Sequence, residues 1–348
     1  CTTFGHKNVA RDRFDYNEAI KQSHNQQMLL NLVRLRYLVM PDFLTVSSII
    51  TSYNYEGSLG LSGTVSGHPF SHSATGDGNI HYAERPTITY TPMAGQEFAQ
   101  LLLRPMSVDG LFALGHAGWP MDILMTIGLQ HINNARNMGP TLVPSPGEVN
   151  MDEQHIEEVK NLNKFSKILK LMLILTEKGV LEVQQSKGKD KTVSLHFSKS
   201  QNSATQQQIA EFKSILNLDS KIDVFRIVNR AINRQPDEIS IQSRSLLSMM
   251  TFLSKGVEVP EEDGKTGKAL LLPEEVQRAI AAHGVLTIHS QKDLPVDPFV
   301  AVKYRDNWFY IDITDLTSKR TFSTLQILFQ LQSPSNGAAA PLLTLPAG

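Results

Sequence analysis

Between Tyr53 and Val65 the chain alternates without a break. Tyr53, Tyr55, Gly57, Leu59, Leu61, Gly63 and Val65 take one parity, and Asn54, Glu56, Ser58, Gly60, Ser62 and Thr64 take the other. A period of two describes a strand with two chemically different faces, and no helix satisfies it. A polar, glycine-rich stretch follows over 66–78, and Ile80, Tyr82, Ile88 and Tyr90 then return on a single parity. Residues 45–91 are therefore expected to form one long antiparallel hairpin. Two strands alone are marginal in water, so the hairpin needs something to pair with.

Three outcomes are open: a plain hairpin packed within its own chain, a soluble sheet shared between copies, or a barrel of several copies in a bilayer. Each strand offers about 10–13 alternating residues, where a membrane-crossing strand needs roughly 9–11. Tyr53, Tyr55, Tyr82 and Tyr90 lie toward the base, as interfacial aromatic girdles do. Glu84 and Pro86 share the parity of Ile80 and Tyr82, however, and Glu is costly against lipid. The residues expected to carry assembly are Tyr53, Tyr55, Leu59, Leu61, Val65, Ile80, Tyr82, Ile88 and Tyr90.

The rest of the chain changes period. Ile20, Met28, Leu29, Leu32, Leu35 and Val39 recur at helical spacing behind a capping-box pattern at Asp15 and Glu18, which predicts a helix over 16–39 ended by Pro41. Short helices are expected at 95–103, 108–116 and 121–134. The strongest helical pattern runs over 152–178 and stops at Gly179. A hairpin over 181–198, a helix over 206–216, a strand over 222–228, a helix over 243–254 and a long loop over 256–274 follow. Strands at 285–289, 299–304 and 308–313 and a last helix over 316–331 complete an α+β chain. The expected organisation is a tether (1–14), an N-terminal part (15–137), a Pro- and Gly-rich linker (138–150), a C-terminal α+β domain (151–333) and a low-complexity tail (334–348).

Charge narrows the function. Lys and Arg total 33 against 34 Asp and Glu, so the basic excess of a nucleic-acid binder is missing. No apolar run reaches the roughly 18–20 residues of a membrane-spanning helix. Catalytic patterns fail on inspection. The segment Gly264-Lys265-Thr266-Gly267-Lys268-Ala269 imitates a phosphate loop, but Glu262 and Ala269 stand where Gly and Ser or Thr are needed. Ser62 lacks the second flanking Gly of a nucleophile elbow. His155 and Glu158 read as a solvated helix face, and Asp312 and Asp315 as helix-start carboxylates. His68, His72 and His81 with Asp77 surround the hairpin tip and form a weak candidate for a metal or a pH response. No cofactor is implied.

The single cysteine is Cys1, followed by Thr2-Thr3-Phe4-Gly5. This start resembles a mature bacterial lipoprotein, in which a cysteine is lipidated and becomes the N-terminus when the signal peptide is removed. The resemblance implies a membrane anchor through Cys1, and Thr2, in place of a retaining Asp, implies the outer membrane. Two or three acyl chains hold such a protein stably on its leaflet. The expected function is a lipid-anchored structural or assembly component of the cell envelope. It is not an enzyme, and it forms a homo-oligomer or a larger envelope complex through the hairpin. One alternative is an envelope binding module presenting aromatics near Trp308, Phe309 and Tyr310 to a protein or to cell-wall material. Another is a hydrolase with catalytic residues scattered in sequence.

Overall fold

The structure is a computed structural model that describes residues 5–65, 72–137, 151–186, 192–230, 234–269, 271–283 and 285–333. It is a mixed α+β protein. The chain divides into two compact units, Asp42–Met93 and the remainder.

In the larger unit, helix α1 spans Gly5–Arg36. Its start corrects two expectations: residues 5–14 are helix and not tether, and Asp15 lies inside the helix instead of capping it. Extending a nucleated helix costs little per residue, and nothing between His6 and Phe14 breaks one. The stretch Met28–Tyr37 is buried around almost its whole circumference, with Leu29, Leu32 and Val33 at zero exposure. An all-round apolar stretch marks a helix inside a core. Its neighbours are the strand Pro298–Tyr304 and the helix Leu246–Ser254.

A six-stranded sheet orders its strands as Ala135–Arg136, Leu129–Ile132, Glu238–Ser243, Val224–Val228, Val193–Phe197 and Leu181–Gln185. Only Val224–Val228 and Glu238–Ser243 run parallel. The helix Met151–Glu177 supplies Leu162, Phe165, Ile168, Leu169, Met172 and Leu175 to the core. Lys213, also buried, donates to the carbonyls of Ser220 and Ile222 and to Asp223, and its ammonium lies over the Phe197 and Phe225 rings. A second sheet pairs Pro298–Tyr304 with Asn307–Asp312, and that strand with His289–Gln291.

This connectivity overrides a division into 15–137 and 151–333. Strand Leu129–Ile132 pairs with Glu238–Ser243, and α1 packs on a strand near the C-terminus, so both expected parts share one core. The linker 138–150, the tail 334–348, Cys1 and the turn 187–190 lie outside the described residues. Other differences are local. The helix expected over 121–134 stops at Gly128 and gives way to a hairpin whose turn is Asn133-Asn134. Asn133 takes the left-handed conformation that Asn tolerates, and its side chain accepts from Ser240 N and donates to the Leu216 carbonyl. The loop expected over 256–274 holds a short helix, Glu261–Lys265, and the helix Glu274–Ala282 begins at its end.

One contact pins the end of α1. Tyr37 Oη donates to Asp263 Oδ2 at 2.6 Å, in a buried bond spanning 226 residues of sequence. Lys268 Nζ reaches the other carboxylate oxygen at 3.1 Å. The Arg305 guanidinium lies 5.2 Å from the Tyr37 ring centroid, and the Tyr304 and Phe309 rings meet Tyr37 edge-on at 5.2 and 6.1 Å. The phosphate-loop imitation is thus occupied structurally, with Lys268 committed to Asp263.

Burial pushes the Asp263 carboxyl up, but the hydrogen bonds from Tyr37 and Lys268 outweigh it and hold its pKa below the ordinary value. A carboxyl with a lowered folded pKa contributes stability that is present above its unfolded pKa, near 4, and is lost as pH falls through the folded one. Tyr37→Phe is therefore expected to destabilise the protein by about 1.5–3 kcal/mol at neutral pH. The deficit should narrow below about pH 4. Urea unfolding at the two pH values measures both effects.

Candidate functional site

Strand β1 spans Leu44–Val65 and strand β2 spans His72–Pro92. They pair antiparallel from Leu44↔Pro92 to Val65↔His72, and Met93 N donates to the Phe43 carbonyl just beyond the Leu44↔Pro92 pair. Among the described residues this sheet has two strands only, so each strand keeps an outer edge of backbone groups to satisfy.

The register turns the sequence alternation into two faces. Gly57 pairs with Ile80, Tyr55 with Tyr82 and Ile49 with Ile88. One face consequently holds Leu44, Val46, Ile49, Tyr53, Tyr55, Leu59, Leu61 and Val65 from β1. It holds Ile80, Tyr82, Ile88 and Tyr90 from β2. All the residues expected to carry assembly fall on it. The opposite face collects Glu56, Ser58, Ser62 and Thr64 with Ser73, Thr75, Asp77, Asn79 and His81.

A register shift between Val46 and Ser48 makes this continuous. Leu44 and Val46 are even-numbered, whereas Ile49 through Val65 are odd. A strictly regular ladder would throw the base pair of apolar residues onto the polar face. The extra residue Ser47, a bulge, restores them to the apolar face. Sequence parity alone could not reveal this, since a bulge is visible only in the pairing.

The register also locates the charge that counted against lipid. Glu84 stands opposite Tyr53, and Pro86 opposite Thr51, so both lie on the base side of the Tyr55↔Tyr82 pair. From that pair to Val65↔His72 each strand runs eleven residues. Over this length the apolar face carries no Asp, Glu, Lys or Arg. Eleven residues give about 35 Å of strand, which at the roughly 45° tilt of barrel strands covers a bilayer core. A tyrosine pair closes the uncharged stretch on one side, with Glu84 two pairs beyond it.

Of the weak metal candidate, His72, Asp77 and His81 lie on β2. His72 falls on the apolar face, whereas Asp77 and His81 fall on the other, four positions apart or about 13 Å along the strand. His68 lies outside the described residues. Among the described residues no group of three or more His, Cys, Asp or Glu is arranged to hold a metal ion. Elsewhere, Asp315 caps the last helix, Leu316–Gln332, by accepting from Ser318 N at 3.0 Å, and Asp312 accepts from Thr314 N at 2.7 Å. The aromatics considered for a binding module alternate in a half-buried strand, with Phe309 fully buried and Trp308 and Tyr310 partly covered.

No protein-family model, no curated protein and no solved structure matches this chain. Function must therefore be argued from the geometry. Among the described residues no helix is long and apolar enough to cross a membrane. Strands cross membranes under a different length and pattern rule.

Two-faced alternation is directly measurable. In material extracted from membranes, with the unsubstituted chain as the blank, single cysteines placed in turn at positions 57–62 are expected to react with a water-soluble maleimide at rates that rise and fall with a period of two. Even positions should be the faster ones. A monotonic profile would eliminate the two-faced hairpin.

Proposed function

We propose that this protein is a lipid-anchored structural and assembly component of the bacterial outer membrane, without enzymatic activity. It oligomerises through its hairpin, and each copy contributes β1 and β2 to a shared sheet. The observation that carries the reading is the uncharged apolar face from Tyr55↔Tyr82 to Val65↔His72, backed by a face of hydroxyl, amide and charged residues.

Two strands from one chain cannot close, and an open edge is excluded from lipid. Hairpins from several copies satisfy each other's edges and close a barrel. In such a barrel the apolar face meets the acyl chains, and the face bearing Glu56, Asp77, Asn79 and His81 lines a wet interior. Tyr55 and Tyr82 sit where the aromatic girdle belongs, and Glu84 falls at the headgroup level. The base half of the hairpin, 44–54 with 83–92, continues outside the bilayer. The lipid on Cys1 rests on the resemblance of its first residues to a mature lipoprotein, and it would hold each copy at the membrane while its hairpin finds partners.

Paired arginine substitutions separate the bilayer-inserted barrel from a soluble shared sheet. Leu61→Arg places a charge on the lipid face near mid-span and is expected to cost about 2–4 kcal/mol per copy, abolishing membrane-embedded oligomers. Ser62→Arg, one residue away on the interior face, should leave them intact. Detergent-extracted particle mass reads both. Equal tolerance of the two, with native-size particles, would remove the hairpin from the bilayer.

The anchor has its own test. Intact-mass spectrometry of material from native membranes should show a diacylglycerol adduct on Cys1, with or without N-acylation, and Cys1→Ala should release unassembled chain. An unmodified Cys1 in native membranes would refute the anchor while leaving the hairpin argument standing.

A further inference from the structure

Arg36 is the last residue of α1, and it is 2% exposed. Its Nε and Nη1 are buried and have no hydrogen-bond partner among the described residues. An arginine so placed normally finds a carboxylate, because an uncompensated buried charge is among the least favourable arrangements a protein can hold. Arg36 instead lines a cavity of about 850 Å³ together with Lys255, Val257, Leu271, Ile280 and Leu286.

Four carboxylates line the same cavity, and each is already engaged with a group other than Arg36; two of those groups, Arg278 and Lys292, belong to the same lining. Glu258 accepts from Ser290 N and pairs with His289 Nδ1 at 2.9 Å. Glu261 pairs with Lys265, Glu262 with Lys292 at 3.8 Å and Glu274 with Arg278 at 3.4 Å. None of these ion pairs includes Arg36.

The surroundings raise the positive potential further. Lys255 is 5% exposed at the C-terminal end of the helix Leu246–Ser254. Burial lowers its pKa to about 8, Glu158 pulls it back up, and Arg244 and Arg36 push it further down. Arg244 is itself fully buried, donating to the Thr126 and Ile127 carbonyls and stacked 4.1 Å from the Phe252 ring centroid. Lys255 is thus repelled by two buried arginines and attracted by the Glu158 carboxylate. Burial also lowers the Arg36 pKa, to about 10, which leaves it charged at neutral pH. The C-terminal dipoles of α1 and the helix Leu246–Ser254 account for cations at these helix ends, but a dipole supplies no acceptor to Nε or Nη1.

We propose that this cavity binds an organic anion whose phosphate or carboxylate group is held by the Arg36 guanidinium, with Lys255 adding charge and the Val257, Leu271, Ile280 and Leu286 wall receiving an apolar body. A volume of about 850 Å³ is far larger than a bare oxyanion needs and lies in the range of small-molecule sites. The site uses no residue of the hairpin and stands independently of the assembly reading.

Titration calorimetry on the purified full chain tests the proposal. The probes are inorganic phosphate, succinate, glycerol phosphate and a short-chain phosphatidylglycerol, each at ionic strength matched with sodium chloride. Saturable single-site binding of at least one probe is expected. Binding of free phosphate or of the small organic anions points to a soluble ligand, and binding confined to the phosphatidylglycerol points to a lipid headgroup. Arg36→Met, which replaces the charge by a side chain of similar length, should weaken the binding at least about tenfold. The unliganded melting temperature of that variant should stay unchanged or rise. Lys255→Met, with Arg36 intact, should weaken binding by a smaller factor, and this variant serves if Arg36→Met does not fold. Absence of saturable binding by all four probes up to about 10 mM, or undiminished affinity in Arg36→Met, would overturn the site.

Discussion

The larger unit depends on how the end of α1 is held. The Tyr37–Asp263 bond joins residues 226 positions apart, and it sits where α1, the short helix Glu261–Lys265 and the hairpin Pro298–Asp312 converge. The contact is directional where its surroundings are not. Apolar burial of Met28, Leu29, Leu32 and Val33 favours putting α1 inside but leaves its axial position loosely specified. A buried phenol that must reach one carboxylate oxygen fixes that position, and the rings of Tyr304 and Phe309 fix its rotation. Arg36, one residue earlier, is carried into the core by the same docking. Its buried charge follows from where Tyr37 must go.

The hairpin obeys a different constraint. Inside a core, side chains are selected for shape; along β1 and β2 they are sorted by parity. Sorting survives only if register is exact over some twenty residue pairs, and the shift at Ser47 keeps the base in phase with the tip.

Legibility in sequence followed the strength of local pattern. The apolar stripe from Leu162 to Leu175 is long, unbroken and single-period, and it was readable without structure. Strand Glu238–Ser243 was not, because it lies in the sheet interior with Glu238, Ile239, Ser240 and Ile241 all buried, which erases alternation. Its Glu238 is tied to Arg226 and Arg230 at 2.6 Å each, a pairing no local pattern announces. The helix Glu274–Ala282 was missed because Pro260, Gly264, Gly267 and Pro273 ahead of it read as loop. The level of Glu84 relative to Tyr55 needed the register. The Arg36 cavity left no trace in sequence at all, since a basic residue in the last turn of a helix is ordinary and its isolation from carboxylates is a property of the folded surroundings.

Phe43 and Met93 are joined by a backbone hydrogen bond, so the chain enters and leaves the hairpin at neighbouring points. An excursion that begins and ends in one place can change its reach without moving its roots. Adding or removing two residues from each strand preserves every facial assignment and alters the span by about 6.6 Å; a change of one residue inverts the faces beyond it. The hairpin thus behaves as a gauge graded in steps of two, its length adjustable while the residues that fold the rest of the chain stay as they are.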